Sequence, residues 1–173
     1  GKTAERTLGQ SYERVHRESL LQRLGLENTG MLRQSDVLDG LADTYFYRDD
    51  LKALVNDLPV YPENWYAAGS MYSTVQDLLT FANALFGSKL LKKETLALMV
   101  TPGLDDYGYG LWSYETKVGD KKYRVVKRRG QIMGAQTQLY HFLDADITVI
   151  LLSNMGTTDL DEFVAEIGKQ VVG

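Results

Sequence analysis

At Tyr107 the hydrophobic pattern changes period, and that switch restricts the chain to a sheet packed beneath helices. Four strand-length stretches follow: Tyr107 to Val118, Lys122 to Arg129, Gln136 to Leu143 and Ile147 to Ser153. Gly119-Asp120 and Asp144-Ala145-Asp146 are turn signals between two of these pairs, so the spacing predicts an antiparallel meander of three or four strands. The last segment, Asp159 to Val172, returns to helical spacing, with Leu160, Phe163, Val164, Ile167 and Val171 on one side. Asp159 and Asp161 sit near the positive end of its dipole. An amphipathic helix covering the sheet is the expectation.

Upstream of the switch the period is helical. Tyr12, Val15, Leu20, Leu21 and Leu24 predict a helix that ends at Gly25, a residue free to take a left-handed cap. Ser73-Thr-Val-Gln76 has the form of a capping box. Behind it, Val75, Leu78, Leu79, Ala82, Leu85 and Phe86 make one apolar face closed by Gly87, and Leu90 to Val100 reads as a shorter helix ended before Pro102. Between these helices, Leu26 to Trp65 is weakly periodic, punctuated by Gly30, Gly40, Pro59 and Pro62, and reads as a long functional loop. Strands flanked by helices, without strand-helix-strand alternation, place the chain in the α+β class as an antiparallel sheet flanked by helices.

Composition narrows function more than fold. With 173 residues and 44% hydrophobic content there is material for one globular core. A net charge of -4 without a basic tail argues against a nucleic-acid partner. No apolar run approaches a membrane span, and the absence of cysteine removes disulfide and thiolate chemistry. Neither feature locates the protein, so periplasmic and cytoplasmic sites both stay open.

Three motifs occur in order: AAGSMYSTVQDLLTFANALFGSKLL from Ala67 to Leu91, YGYGLW from Tyr107 to Trp112, and ILLSN from Ile150 to Asn154. Together with the opening Gly1 to Gly30, this order resembles the C-terminal part of the serine β-lactamase, DD-peptidase and esterase superfamily, the penicillin-binding-protein-like group. The resemblance implies a partial β-lactamase/transpeptidase-like fold, with residues 1–173 forming one domain that lacks its N-terminal portion. It further implies acyl transfer on a lactam, peptide or ester, with no cofactor.

The superfamily nucleophile and base lie in Ser-x-x-Lys, followed by Tyr-x-Asn. None of the eight serines has Lys three residues later, and no Tyr is followed by x-Asn. No catalytic residue is therefore assigned. The resemblance implies a chain inactive by itself, dependent on a missing N-terminal segment or on self-association. The alternative is a non-catalytic ligand-binding or assembly module derived from the same fold.

Candidate substrate contacts remain. Lys127-Arg128-Arg129-Gly130-Gln131-Ile132-Met133-Gly134 stands where the superfamily has Lys or His, any residue, Gly, and a second Gly four residues later. Arg128 takes the Lys or His position. A guanidinium there binds a carboxylate through two hydrogen bonds but is a poor proton shuttle. Gly130 lets a substrate backbone approach, and the resemblance implies that Gln131 and Ile132 pair with it. Tyr109 and Trp112 are candidates for the wall of a cleft, or for ordinary sheet packing. The surrounding Lys117, Lys121, Lys122, Arg124, Lys127 and Arg129 also fit a solvated hairpin that protects a sheet edge. Ser70, His16 and His141 have structural readings: a turn before a helix for the serine, and surface or packed rings for the histidines. Asp36, Asp39, Asp43, Asp49 and Asp50 lack the spacing of a calcium loop, so no metal site is assigned.

Overall fold

The computed structural model describes residues 1–59 and 61–173. Helix α1 (Lys2–Leu8) leads to α2 (Tyr12–His16), which passes through a π-helical turn at Arg17–Leu21 into α3 (Gln22–Leu24). Gly25 ends this run at φ 67°, the left-handed cap its sequence predicts.

The stretch from Leu26 to Trp65 is more ordered than its weak periodicity suggests. Strand β1 (Gly30–Met31) precedes a hairpin of β2 (Tyr45–Arg48) and β3 (Ala53–Asn56), paired from Tyr45↔Asn56 to Arg48↔Ala53. The hairpin turn carries no glycine. Lys52 takes the left-handed position at φ 49°, so the usual turn signal is missing from the sequence. Strand β4 (Met71–Tyr72) then pairs with β1.

Helix α4 (Val75–Phe86) starts one residue later than the capping-box reading places it. Thr74 is the cap, its hydroxyl accepting from the Asp77 amide at 3.2 Å. Asp77, in the first turn of α4, is buried. Its carboxylate accepts from the Asn28 amide at 2.9 Å and the Thr29 hydroxyl at 2.7 Å, while Ser73 Oγ lies 2.8 Å from Thr29 Oγ1. These bonds pin the Asn28–Thr29 loop to the start of α4. Of the predicted apolar face, Ala82 and Leu85 are buried, whereas Val75 and Leu79 remain exposed. Helix α5 (Lys93–Met99) ends before Pro102 as expected.

The meander is a four-stranded antiparallel sheet, β5 (Trp112–Val118), β6 (Lys121–Ile132), β7 (Ala135–Phe142) and β8 (Ile147–Ser153), in sequential order. Residues 107–111 lie outside β5, because the Gly108 and Tyr109 amides donate to Leu111 and Met99 carbonyls and Gly110 sits at φ 83°. Strand β6 runs on through Arg129-Gly130-Gln131-Ile132 to a two-residue turn at Met133-Gly134, with Met133 at φ 50°.

Helix α6 (Leu160–Val171) covers one face of the sheet, capped by the Asp159 carboxylate on the Asp161 and Glu162 amides. The core joins Val125, Tyr140, Phe142 and Val149 to Val164 and Val172. Phe163 and Val171, expected inward, are exposed, and Gly168 lies on the buried side instead. The opposite face packs on α4. There His141 stacks on Phe86 with ring centroids 3.9 Å apart and places Nδ1 2.9 Å from Thr148 Oγ1.

Burial pushes the His141 imidazole below its ordinary value of 6.5, outweighing the upward pull of Asp146. The unfolded chain therefore binds a proton at higher pH than the folded one, so stability is fully present above the unfolded value and lost as pH falls. We expect the thermal midpoint to drop between about pH 7.5 and about pH 5.5. His141→Gln should flatten the histidine share of that slope, and an unchanged slope in the variant would contradict the assignment.

Candidate functional site

Alternation along β6 divides its residues between two faces. Register partners share a face: Val126↔His141, Arg128↔Leu139, Gly130↔Thr137 and Ile132↔Ala135 belong to the α4 side. Val125↔Phe142, Lys127↔Tyr140, Arg129↔Gln138 and Gln131↔Gln136 belong to the α6 side. Arg128, Gly130 and Ile132 thus stand in one row, while Gln131 points away from them. Arg129 lies on the Gln131 side, donating to Gln136 Oε1 at 3.0 Å.

Pairing between β5 and β6 stops at Trp112↔Lys127. Beyond it, among the described residues, Arg128 to Ile132 pairs with β7 alone, which leaves one edge of this half-strand free. A free edge with a cation at one end and a glycine at its middle can receive an extended chain by strand addition. A Cβ on Gly130 would stand 2.6 Å from the Thr137 hydroxyl.

Arg128 is held rather than loose. Its Nη1 donates to the Tyr107 hydroxyl at 3.1 Å, and its guanidinium lies 5.7 Å from the Trp112 ring centroid. Tyr107 packs edge-on to Trp112 at 5.0 Å. The aromatic pair orients a cation that stays exposed. Its neighbours in the basic cluster are engaged elsewhere: Lys122 with Glu115, Arg124 with Asp144, and Lys127 with Asp161. Burial pushes the Asp161 carboxyl up, but the bonds from Lys127 and Gln138 prevail and hold it below the usual range.

The far end of the row is built by glycines. Gly69 lies against the Ile132 side chain, which would be 2.4 Å from an added Cβ. Gly134 lies against the backbone of Tyr45, where a Cβ would come within 2.8 Å of the amide nitrogen. Asp57 completes the corner, its carboxylate accepting from the Gly134 amide at 2.6 Å and the Thr44 hydroxyl at 2.8 Å.

The sequence pattern of the Beta-lactamase family matches residues 1–170. The chain belongs to the beta-lactamase family. Among curated relatives, the human protein beta-lactamase-like 1 is 32% identical over 142 residues, 76% of this chain and 27% of its own length. The fold is shared with FmtA of Staphylococcus aureus (TM-score 0.82, 19% identity, 99% of this chain and 46% of that one). It is shared too with a D-stereospecific amidohydrolase from Streptomyces sp. (0.81, 21%, 100% and 52%) and with a penicillin-binding protein from Bacillus halodurans (0.79, 20%, 97% and 52%). This beta-lactamase-family chain therefore spans about a quarter of the human relative and about half of the solved structures.

Within this family member, Arg128, Gly130 and Ile132 share one face of β6, and Trp112 lies beside Arg128. Tyr109 sits 74% exposed in the loop before β5, outside the strand row. Ser70 is buried and its hydroxyl donates to the Pro62 carbonyl, which leaves it unsuited to attack a substrate. The acidic residues of the hairpin region do not converge, and among the described residues no group of three or more His, Cys, Asp or Glu side chains could hold a metal ion. No helix of the described residues is long and apolar enough to cross a membrane.

Two contributors escape sequence reading. Asp57 sits far in sequence from the Gly134 turn that it holds. Tyr66, at φ 46°, donates to the Glu5 carboxylate. That bond, with the Tyr12 amide and Lys2, holds Glu5 down at about 2, and the same bond together with burial pushes Tyr66 up to about 12. The contact fastens the Trp65–Tyr66 segment to α1, beside the glycine that receives Ile132.

Proposed function

We propose that residues 1–173 are the C-terminal part of a single β-lactamase-like domain and supply one wall of its acyl-transfer cleft. In this reading a serine outside these residues attacks an amide, lactam or ester carbonyl and a base takes its proton. The carbon–leaving-group bond breaks, the leaving group takes up a proton, and water hydrolyses the acyl-enzyme. Arg128 holds a substrate carboxylate, and the free edge at Gly130 to Ile132 pairs with the substrate backbone and offers an amide to the oxyanion. The observation that carries the reading is that unpaired half-strand, with an aromatic-held guanidinium at its start.

Intact-mass analysis tests it. The 173-residue chain incubated with a fluorophosphonate or a β-lactam should gain no adduct, whereas the polypeptide extended by the gene sequence before Gly1 should be labelled once, at a Ser-x-x-Lys serine. A stoichiometric adduct on a serine of residues 1–173 would overturn the proposal.

Arginine in place of a proton-transferring Lys or His favours a second reading, a non-catalytic module that binds peptide in the old cleft. A gene whose coding sequence lacks Ser-x-x-Lys would select it. Self-association belongs to either reading. The exposed Val75 and Leu79 on α4 support it, as does the relative described as an octameric penicillin-binding protein homologue from Pyrococcus abyssi. Light scattering should show more than a monomer.

A further inference from the structure

Of all the aspartates and asparagines in the sequence, only Asp39 is followed by glycine. The pair matters chemically because the nitrogen of the next peptide group lies within reach of an aspartyl side chain, and a side chain on the next residue obstructs its approach. Glycine carries none. Asp36 and Asp43 are instead followed by β-branched Val37 and Thr44. The pair sits in the irregular connection between β1 and β2, residues 32–44. Residues 38–41 form a turn there, closed by one long bond from the Leu41 amide to the Leu38 carbonyl at 3.5 Å. Gly40 stands at φ 75° with nothing within 4 Å of an added Cβ, and among the described residues its amide donates to no backbone acceptor. Both residues of the pair are exposed. Other carboxylates of the region are held: Asp36 by the Ser35 hydroxyl, Asp49 by Lys52, Asp50 by Arg48, and Asp57 by Thr44 and Gly134.

We propose that Asp39 is a site of spontaneous isoaspartate formation, which makes the exposed β1–β2 connection a substrate for an isoaspartyl-directed carboxyl methyltransferase. The Gly40 nitrogen attacks the carbon of the Asp39 side-chain carboxyl in its protonated form. A C–N bond forms, the C–O bond to the hydroxyl breaks, and the proton of the nitrogen leaves with that hydroxyl as water. The five-membered succinimide then takes up one water at either carbonyl, so the isomerisation needs no oxidant or other co-reactant. Opening at the side-chain carbonyl restores aspartate. Opening at the main-chain carbonyl routes the chain through the side chain, adds one methylene to the backbone and leaves the α-carboxylate exposed. In the methyltransferase step an oxygen of that carboxylate bonds to the methyl group of a sulfonium donor, whose C–S bond breaks to leave a thioether. The fold absorbs the added length, because an exposed connection tolerates it and both ends are fixed elsewhere. Strand β1 is paired with β4, and β2 with β3 and, through Tyr45, with the Asn154 carbonyl and Gly156 amide.

The test is peptide mapping of the 173-residue chain aged at physiological pH and temperature. Cleavage after Arg33 and Arg48 releases the peptide of residues 34–48, which carries the pair. With age this peptide should divide into two species of equal mass, accompanied by a minor form lighter by one water. The new species should resist an endoprotease that cuts before aspartate at Asp39 while still being cut at Asp36 and Asp43. Fresh chain should accept no methyl group from the methyltransferase, and fully aged chain should accept one. Asp39→Glu, which would have to close a six-membered ring, should show neither the split nor the methylation, and its exposed position leaves the fold unchanged. The thermal midpoint of aged and fresh chain should coincide. If Asp39 stays intact in the folded chain while the isolated peptide of residues 34–48 isomerises, the turn restrains it and the proposal fails. Isomerisation that begins at a different aspartate would overturn it equally.

Discussion

Phe142→Ala should cost about 3–5 kcal/mol of folding stability, the range for removing a buried aromatic ring. The ring is 1% exposed and joins both layers of the core. Its centroid lies 5.9 Å from Tyr123 in a perpendicular arrangement and 5.1 Å from Tyr140. On the other side it meets α6 at Gly168, where an added Cβ would stand 3.2 Å from the ring. The helix thus approaches at a glycine, and the sheet fills the space with phenylalanine. Truncation removes the ring's contacts and leaves a void that a four-stranded sheet held by its ladder cannot collapse to fill. Urea unfolding should show the loss as a lowered midpoint with little change in slope, and the thermal midpoint should fall by on the order of 10 °C. A loss below about 1 kcal/mol would mean that α6 does not pack on the sheet through this ring.

Arg128→Ala should weaken binding of a peptide carboxylate about ten- to a hundredfold, since a charge-assisted hydrogen bond contributes about 1.5–3 kcal/mol. The loss should disappear when the peptide is amidated, which separates the guanidinium–carboxylate contact from any general change in the cleft. Arg128→Lys should recover part of the affinity, because an ammonium supplies charge without the planar fork. Tyr107→Phe should have a smaller effect of the same sign, as it removes the hydroxyl that accepts from Nη1 but keeps the ring against Trp112. Equal affinity for the free and amidated peptides would contradict the role given to Arg128.

The turns show how much of the fold was legible in the sequence. Gly119 at φ 60° is a turn announced by its own residue type. The β6–β7 turn and the β2–β3 hairpin were illegible for one shared reason: the left-handed positions fall to Met133 and Lys52, side chains that disfavour that conformation when free. At Met133 the conformation is sustained by Asp57, bonded to the next amide from another part of the chain. The site divides in the same way. Arg128 and Gly130 stood out by spacing and share a row, but the opposite orientation of Gln131 follows from a strand that continues to Ile132, three residues beyond its predicted end. Tyr109 was lost to a loop made by Gly108 and Gly110.

The sequence by itself determined the α+β class, the order of the meander strands and of the helices that flank them, the family, and the cation-and-glycine pair on one strand. Those properties reside in periodicity and in residues whose backbone preferences act locally. Only the tertiary structure decided that β5 stops opposite Lys127, that Tyr107 and Trp112 orient Arg128, and that Asp57 holds the turn at Met133-Gly134. Each of these depends on which distant segment arrives beside a residue, a matter of packing that local propensity does not encode.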